Sequence, residues 1–302
     1  MNAKLTHRRG VWLMVACALL WSIAGVVTRG LDSARGFEIT FWRSSFCALS
    51  LLLILGAWRG PRALLRSVRA GGRALWLSGL CWSVMFTAFM LALSLTTVAN
   101  TLITLALGPL FTALLARLVL GHRLAPRTWI AIALAAVGIA WMYGDQVGIG
   151  AGRPGLGFLV ALGAPIAGAV NWTLLQHSRG RGREPVDLLP AVLLGAVISS
   201  LTTLPMALPF SASAHDLRWL ALLGLAQLAI PGLLAVVSAR VLEAPEIALL
   251  ALLEIVFGIL WAWLGAGETP GPAVLGGGAL VLAALAGNEW LGWRGPPRPL
   301  AA

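Results

Sequence analysis

The amino-acid sequence predicts an all-α membrane protein of ten transmembrane helices, arranged as two inverted five-helix repeats over residues 1–146 and 147–302. Three observations predict it: the composition, ten apolar runs of near-spanning length, and a weak internal repeat. Of the 302 residues, 59% are hydrophobic and 11% charged, against about 25% charged in soluble domains. Such a chain could not keep a water-facing surface. A net charge of +11 would suggest nucleic acid in a soluble protein. Here the basic residues sit in short breaks between apolar runs, as cytoplasmic loops do, so the expected partner is the lipid bilayer and not nucleic acid.

A spanning helix needs about 20 mostly apolar residues. Ten segments qualify: 10–29, 38–57, 73–93, 97–119, 127–144, 155–177, 188–209, 217–238, 245–265 and 272–292. The first follows Lys4, Arg8 and Arg9 like a signal peptide. Its apolar stretch from Val11 to Thr28 is too long for a signal core, so it is expected to stay as a helix. The breaks carry Gly, Pro and charge, as at Arg59-Gly60-Pro61 and Gly180-Arg181-Gly182-Arg183. With the N-terminus inside and ten crossings, the Lys and Arg residues of the loops split 17 inside to 4 outside. That asymmetry expects both termini on the cytoplasmic side of a bacterial inner membrane.

The repeat appears when the chain is shifted by 146 residues. Phe111 then meets Phe257, Leu114 Leu260, Ala116 Ala262, Leu118 Leu264, Gly121 Gly267 and Pro126 Pro272. Chance accounts for the leucines more easily than for the Gly and Pro punctuation. Five helices per half is an odd number, so the second half must be inverted. Inverted repeats place a site near the bilayer midplane between the halves.

Candidate residues follow from depth and spacing. Cys17, Cys47 and Cys81 lie in apolar runs without metal-ligand spacing, and the four histidines fall near run ends or in loops. No metal, cofactor or enzymatic chemistry is therefore expected. Thr97, Thr101, Thr104, Gly108 and Thr112 share one face of the fourth helix, flanked by Asn100. They serve either close helix packing or a wet cavity. Glu254, deep in the ninth helix, is the sharpest candidate, because an ionised carboxylate there costs about 2.5–3.5 kcal/mol on insertion scales. It suits a substrate amine, a coupling proton or a helix-linking hydrogen bond. Arg43 lies closer to the outer end of the second helix and is expected to snorkel or fix helices, with contact to a substrate carboxylate as the alternative. Trp21, Trp82, Phe86, Asn171, Trp172 and Trp261 are candidate substrate contacts or packing residues. Pro109, Pro165 and Pro231 interrupt helices and are candidate gates or plain kinks.

The stretch from Asn100 to Trp141, with Gly108-Pro109-Leu110-Phe111-Thr112 and Gly121, resembles the core of an EamA-type repeat. So does Leu253-Glu254-Ile255-Val256-Phe257 through Trp263 to Gly267-Glu268, and Phe41-Trp42-Arg43 is similar to the family's second helix. His122 and Ile255 depart from it, standing where the family often has Glu and Pro. The resemblance implies the drug/metabolite transporter superfamily. It implies a secondary transporter exporting small amphipathic metabolites, foremost neutral or aromatic amino acids, with the fifth and tenth helices peripheral. A broad drug/metabolite exporter and a non-transport membrane assembly factor are the alternatives.

Overall fold

The computed structural model describes residues 5–95, 98–121, 125–143, 154–178, 187–266 and 271–294. Among these there are helices and connections and no strand. The helices are α1 (His7–Trp21), α2 (Ala24–Arg29), α3 (Phe37–Arg59), α4 (Pro61–Ala70), α5 (Gly72–Leu95), α6 (Val98–Leu105), α7 (Gly108–Leu120), α8 (Pro126–Tyr143) and α9 (Pro154–His177). They continue as α10 (Pro190–Ala207), α11 (Ala214–Leu222), a π-helical segment (Leu223–Ala229), α12 (Ile230–Ser238), α13 (Ala244–Ala251), α14 (Leu253–Ala266) and α15 (Pro272–Arg294).

Among the described residues seven helical stretches are long and apolar enough to cross a membrane, and Gly108–Leu120, Pro126–Met142 and Pro272–Asn288 are shorter apolar helices. Large apolar side chains such as Leu53, Leu118, Leu159, Leu201 and Leu264 stand exposed. Arg43, Ser44, Ser78, Asn171, Ser199 and Thr203 are buried. The wide exposure of large apolar side chains, with polar groups held inside, departs from the soluble pattern and fits a multi-pass membrane protein with lipid as its solvent.

Each of the ten expected segments falls on helical residues, but four are interrupted. In the first, Ser22 accepts no helical continuation; its hydroxyl donates back to the Leu19 carbonyl (2.6 Å) and the chain turns into α2. In the fourth, Pro109 opens α7, since proline lacks the N–H that would have bonded the Leu105 carbonyl. In the eighth, Pro231 collides with the regular bond to Gln227, and the helix widens so that the Ile230 amide donates to Leu225. In the ninth, α13 ends at Ala251 and α14 starts at Leu253 without any proline. Shifted by 146 residues, α6 coincides with α13, and the start of α8 with that of α15. The second break therefore occupies the position of the first. A further element, α4, stands in the charged break between the second and third predicted helices.

Contacts follow a paired pattern: α5 packs on α9 and α1 on α12; α10 on α5 and α3 on the π segment; α7 on α9 and α1 on α14. The α3–α10 and α8–α15 contacts stand alone. Small and hydroxyl residues make the close approaches. Ser44 and Thr87 both reach Ser199 (3.0 and 2.9 Å), joining α3, α10 and α5. A Cβ on Gly138 of α8 would lie 2.8 Å from the Gly277 carbonyl oxygen of α15.

Loops clamp one another at the ends. Asp216 accepts from the backbone of Asp32, Ser33 and Ala34, and Glu38 from that of Ser211 and Ala212. Each loop thus supplies a carboxylate to the other. At the other end Asp187 meets Arg59 and accepts from Ser67 (2.9 Å).

Candidate functional site

A cavity of about 140 Å³ opens among α1, α3, α5, α7, α9, α13, α14 and the π segment. Every interrupted helix breaks at its wall. Trp21 ends α1, Leu105 and Gly108 flank the break between α6 and α7, Gln227 and Leu228 lie in the π segment, and Ala251, Leu252 and Glu254 surround the last break. Pro165, inside α9, lines it too. In a membrane, irregular backbone is tolerated where it is buried in protein or lines a wet cavity, and this arrangement satisfies that condition.

Most of the wall is apolar and aromatic. Trp82 and Trp172 meet edge to face at 5.6 Å between ring centres, and Trp82 lies against Phe86 at the same separation. Phe89 and Trp21 continue the wall.

The polar part is small and specific. Arg43 is 1% exposed, far from any snorkelling position. Its guanidinium donates to the Phe86 carbonyl (3.1 Å) and to Gln227 Oε1 (3.4 Å), while Nε has no partner. Gln227 in turn donates from Nε2 to the Trp21 carbonyl (3.4 Å). Glu254 sits in the first turn of α14. No hydrogen bond or ion pair holds Glu254 among the described residues, and its attraction to Arg43 acts across the cavity without direct contact. Thr112 adds a hydroxyl, already donated to the Gly108 carbonyl (2.8 Å).

The sequence candidates divide. Trp21, Trp82, Phe86, Trp172, Glu254, Pro109 and Pro165 line this cavity. Thr101 and Thr104 are buried on α6 outside its wall. Asn171 is also off the wall; its Oδ1 accepts from Ser78 (2.6 Å), tying α9 to α5. Trp261 donates to Ser22 Oγ (2.9 Å) and braces the first break. Pro231 lies behind the wall, its carbonyl facing Cys17 Sγ (3.1 Å). Asn100 is on α6, its side chain outside the described residues, as are Thr97, His122, Gly267 and Glu268 altogether.

Of the two roles expected for Arg43, snorkelling and helix fixing, its burial leaves the second: α3 carries it inward, where its guanidinium reaches the Phe86 carbonyl of α5 and Gln227 of the π segment. Gln227 went unnoticed. Its signal was a lone amide in an apolar run, four residues before Pro231, where the proline frees its carbonyl.

Residues 8–144 match the profile of the EamA-like transporter family. An uncharacterized transporter of Vibrio cholerae is 29% identical over 144 residues, 44% of each chain. An uncharacterized transporter of Pseudomonas aeruginosa is 26% identical over 212 residues, 68% of this chain and 64% of its own. The matches span less than two thirds of either relative's length. A solved crystal structure of a protein shares the fold, with TM-score 0.76 and 18% identity, covering 95% of this chain and 98% of that one.

Proposed function

We propose that this chain is an EamA-type secondary transporter that exports neutral amino acids, bulky and aromatic ones included, by alternating access. One observation carries the reading: four of the helical spans around the cavity are interrupted at its wall, which among the described residues holds one cation and one carboxylate unpaired with each other. A zwitterion matches that pair. Its carboxylate meets the Arg43 guanidinium, whose fork suits bidentate acceptance, and its ammonium meets Glu254. An apolar side chain then lies against Trp82, Phe86 and Trp172. A substrate with several phosphates would leave charge unmatched.

The paired packing and the coincident breaks in α6–α7 and α13–α14 support two inverted five-helix repeats and ten crossings. The Lys and Arg asymmetry supports cytoplasmic termini, and outward movement is what the resemblance to the EamA family implies. Rocking of one half on the other around a midplane site is the simplest cycle for such a plan. Protons are the proposed coupling ion, with Glu254 their acceptor when no ammonium is bound.

The test is counterflow in proteoliposomes. Vesicles loaded with single amino acids are offered labelled phenylalanine, methionine or threonine, with and without a pH gradient. Exchange with these, and stimulation by the gradient, are expected. Robust movement of a sugar or nucleotide with no amino-acid exchange would overturn the substrate class.

A further inference from the structure

We infer that α4 and the adjoining ends of α3 and α5 form a docking surface for anionic phospholipid headgroups. The observation begins in the sequence: between Glu38 and Asp145 there is no acidic residue. The helix α4 falls inside this stretch, ten residues long with three arginines. Arg62, Arg66 and Arg69 follow helical spacing and share one face, and all three are exposed. Leu64 on the opposite side is buried, and Ser67 turns to Asp187. Asp187 is occupied by Arg59 and Ser67. Among the described residues Arg62, Arg66, Arg69 and Arg73 make no ion pair. Three like charges on so short a helix repel one another, so the surface favours an anion.

Position selects the kind of anion. Gly60 (φ +83°) and Pro61 turn the chain sharply from the spanning α3 into α4, and Gly72 (φ +56°) turns it again into the spanning α5. A ten-residue helix between two apolar spans lies at the membrane surface. Trp58, Leu65 and Trp76 are exposed beside the arginines, an aromatic and aliphatic border at headgroup depth. A soluble acidic protein or nucleic acid would gain nothing from that border. Lipid phosphates satisfy both parts, with the chains against Trp and Leu and the phosphate in the guanidinium forks. The proposal rests on the chain spanning a bilayer, and on neither the substrate nor the side on which the termini lie.

The experiment uses the purified full chain in a neutral detergent. Thermal unfolding is followed while phosphatidylglycerol, phosphatidylcholine of the same acyl chains, or inorganic phosphate is added. Phosphatidylglycerol is expected to stabilise at a several-fold lower concentration than phosphatidylcholine, with the gap narrowing in high salt. The combined Arg62→Gln, Arg66→Gln, Arg69→Gln variant should lose at least about threefold of that preference. The corresponding triple Lys variant keeps the charge and should retain most of it. Equal response of the wild type to both lipids, an unchanged preference in the Gln variant, or the same stabilisation by inorganic phosphate would each overturn the proposal. Transport is not read, so failure here leaves the transporter reading untouched.

Discussion

The helices around the cavity and the α8–α15 pair solve the same problem in opposite ways. Both must satisfy every backbone group in lipid. The α8–α15 pair does so with continuous helices brought together on glycine, where Gly138 faces Gly277 and Gly276 faces Trp141. Around the cavity α3, α5 and α9 also run unbroken, but four other spans are interrupted, and their breaks border one space with Arg43, Gln227 and Glu254. Continuous, dry packing suits a fixed scaffold. Broken helices and charges held by few partners suit a place that must change partners, as a substrate site does.

The largest effect that separates the two regions is expected at Arg43. Arg43→Gln removes the only cation among the described residues that line the cavity while leaving a donor for the Phe86 carbonyl. Amino-acid counterflow should fall more than tenfold, about 1.4 kcal/mol or more of lost binding or transition-state stabilisation. Glu254→Gln should also impair transport and alter its response to a pH gradient. If both variants exchange phenylalanine at the wild-type rate in proteoliposomes, the charged pair is structural, and the contrast between regions loses its functional meaning.

The next effect belongs to the scaffold. Gly138→Val places a branched side chain against the Gly277 carbonyl and Val281. Overpacking of this kind costs about 1–3 kcal/mol. The melting temperature should drop by several degrees, whereas substrate affinity in the surviving folded fraction should stay at the wild-type value. A changed affinity with unchanged melting would mean that the pair takes part in the cycle and is no passive brace.

How much of this was legible in the sequence depends on the signal each feature leaves. The apolar runs and their Gly and Pro punctuation fix where helices lie, since lipid admits few alternatives. Pro109 announced one break. The break at Ala251–Leu253 has no proline, and only the 146-residue offset links it to the first. Trp21, Trp82 and Trp172 were found by depth. For Arg43 the sequence leaves snorkelling and helix fixing both open, because distance along a helix says nothing of the direction a side chain faces; burial decides for helix fixing. Thr101 and Thr104 share a face, but the break at Leu105–Gly108 separates that face from Thr112, and only Thr112 reaches the cavity. A periodic stripe presumes a continuous helix. Amphipathic α4 was hidden as a charged break, being too short and too basic to register as a span.

The smallest expected effect lies at the end of the α3–α10 contact, apart from both regions. Burial raises the Asp187 pKa, but the hydrogen bonds from Arg59 and Ser67 and the Arg59 charge outweigh it, so the carboxyl is held below its ordinary value. A depressed folded-state pKa contributes stability above the unfolded carboxylate value, about 4, and loses it as pH falls through the lower folded value. The pair is partly exposed, so solvent screens it and the contribution is modest, about 1 kcal/mol or less. Asp187→Asn should therefore lower the melting temperature slightly at neutral pH. The gap to the wild type should close as the buffer is taken below about pH 4, and Arg59→Gln should reproduce the neutral-pH loss. Counterflow should be unchanged in both variants, because neither residue lines the cavity. A gap that persists undiminished in acid would assign the loss to packing around Ser67 and Leu189 in place of charge. A transport defect at neutral pH would mean that this end of the α3–α10 contact moves during the cycle, and the division between a changing centre and a fixed frame would have to be redrawn to include it.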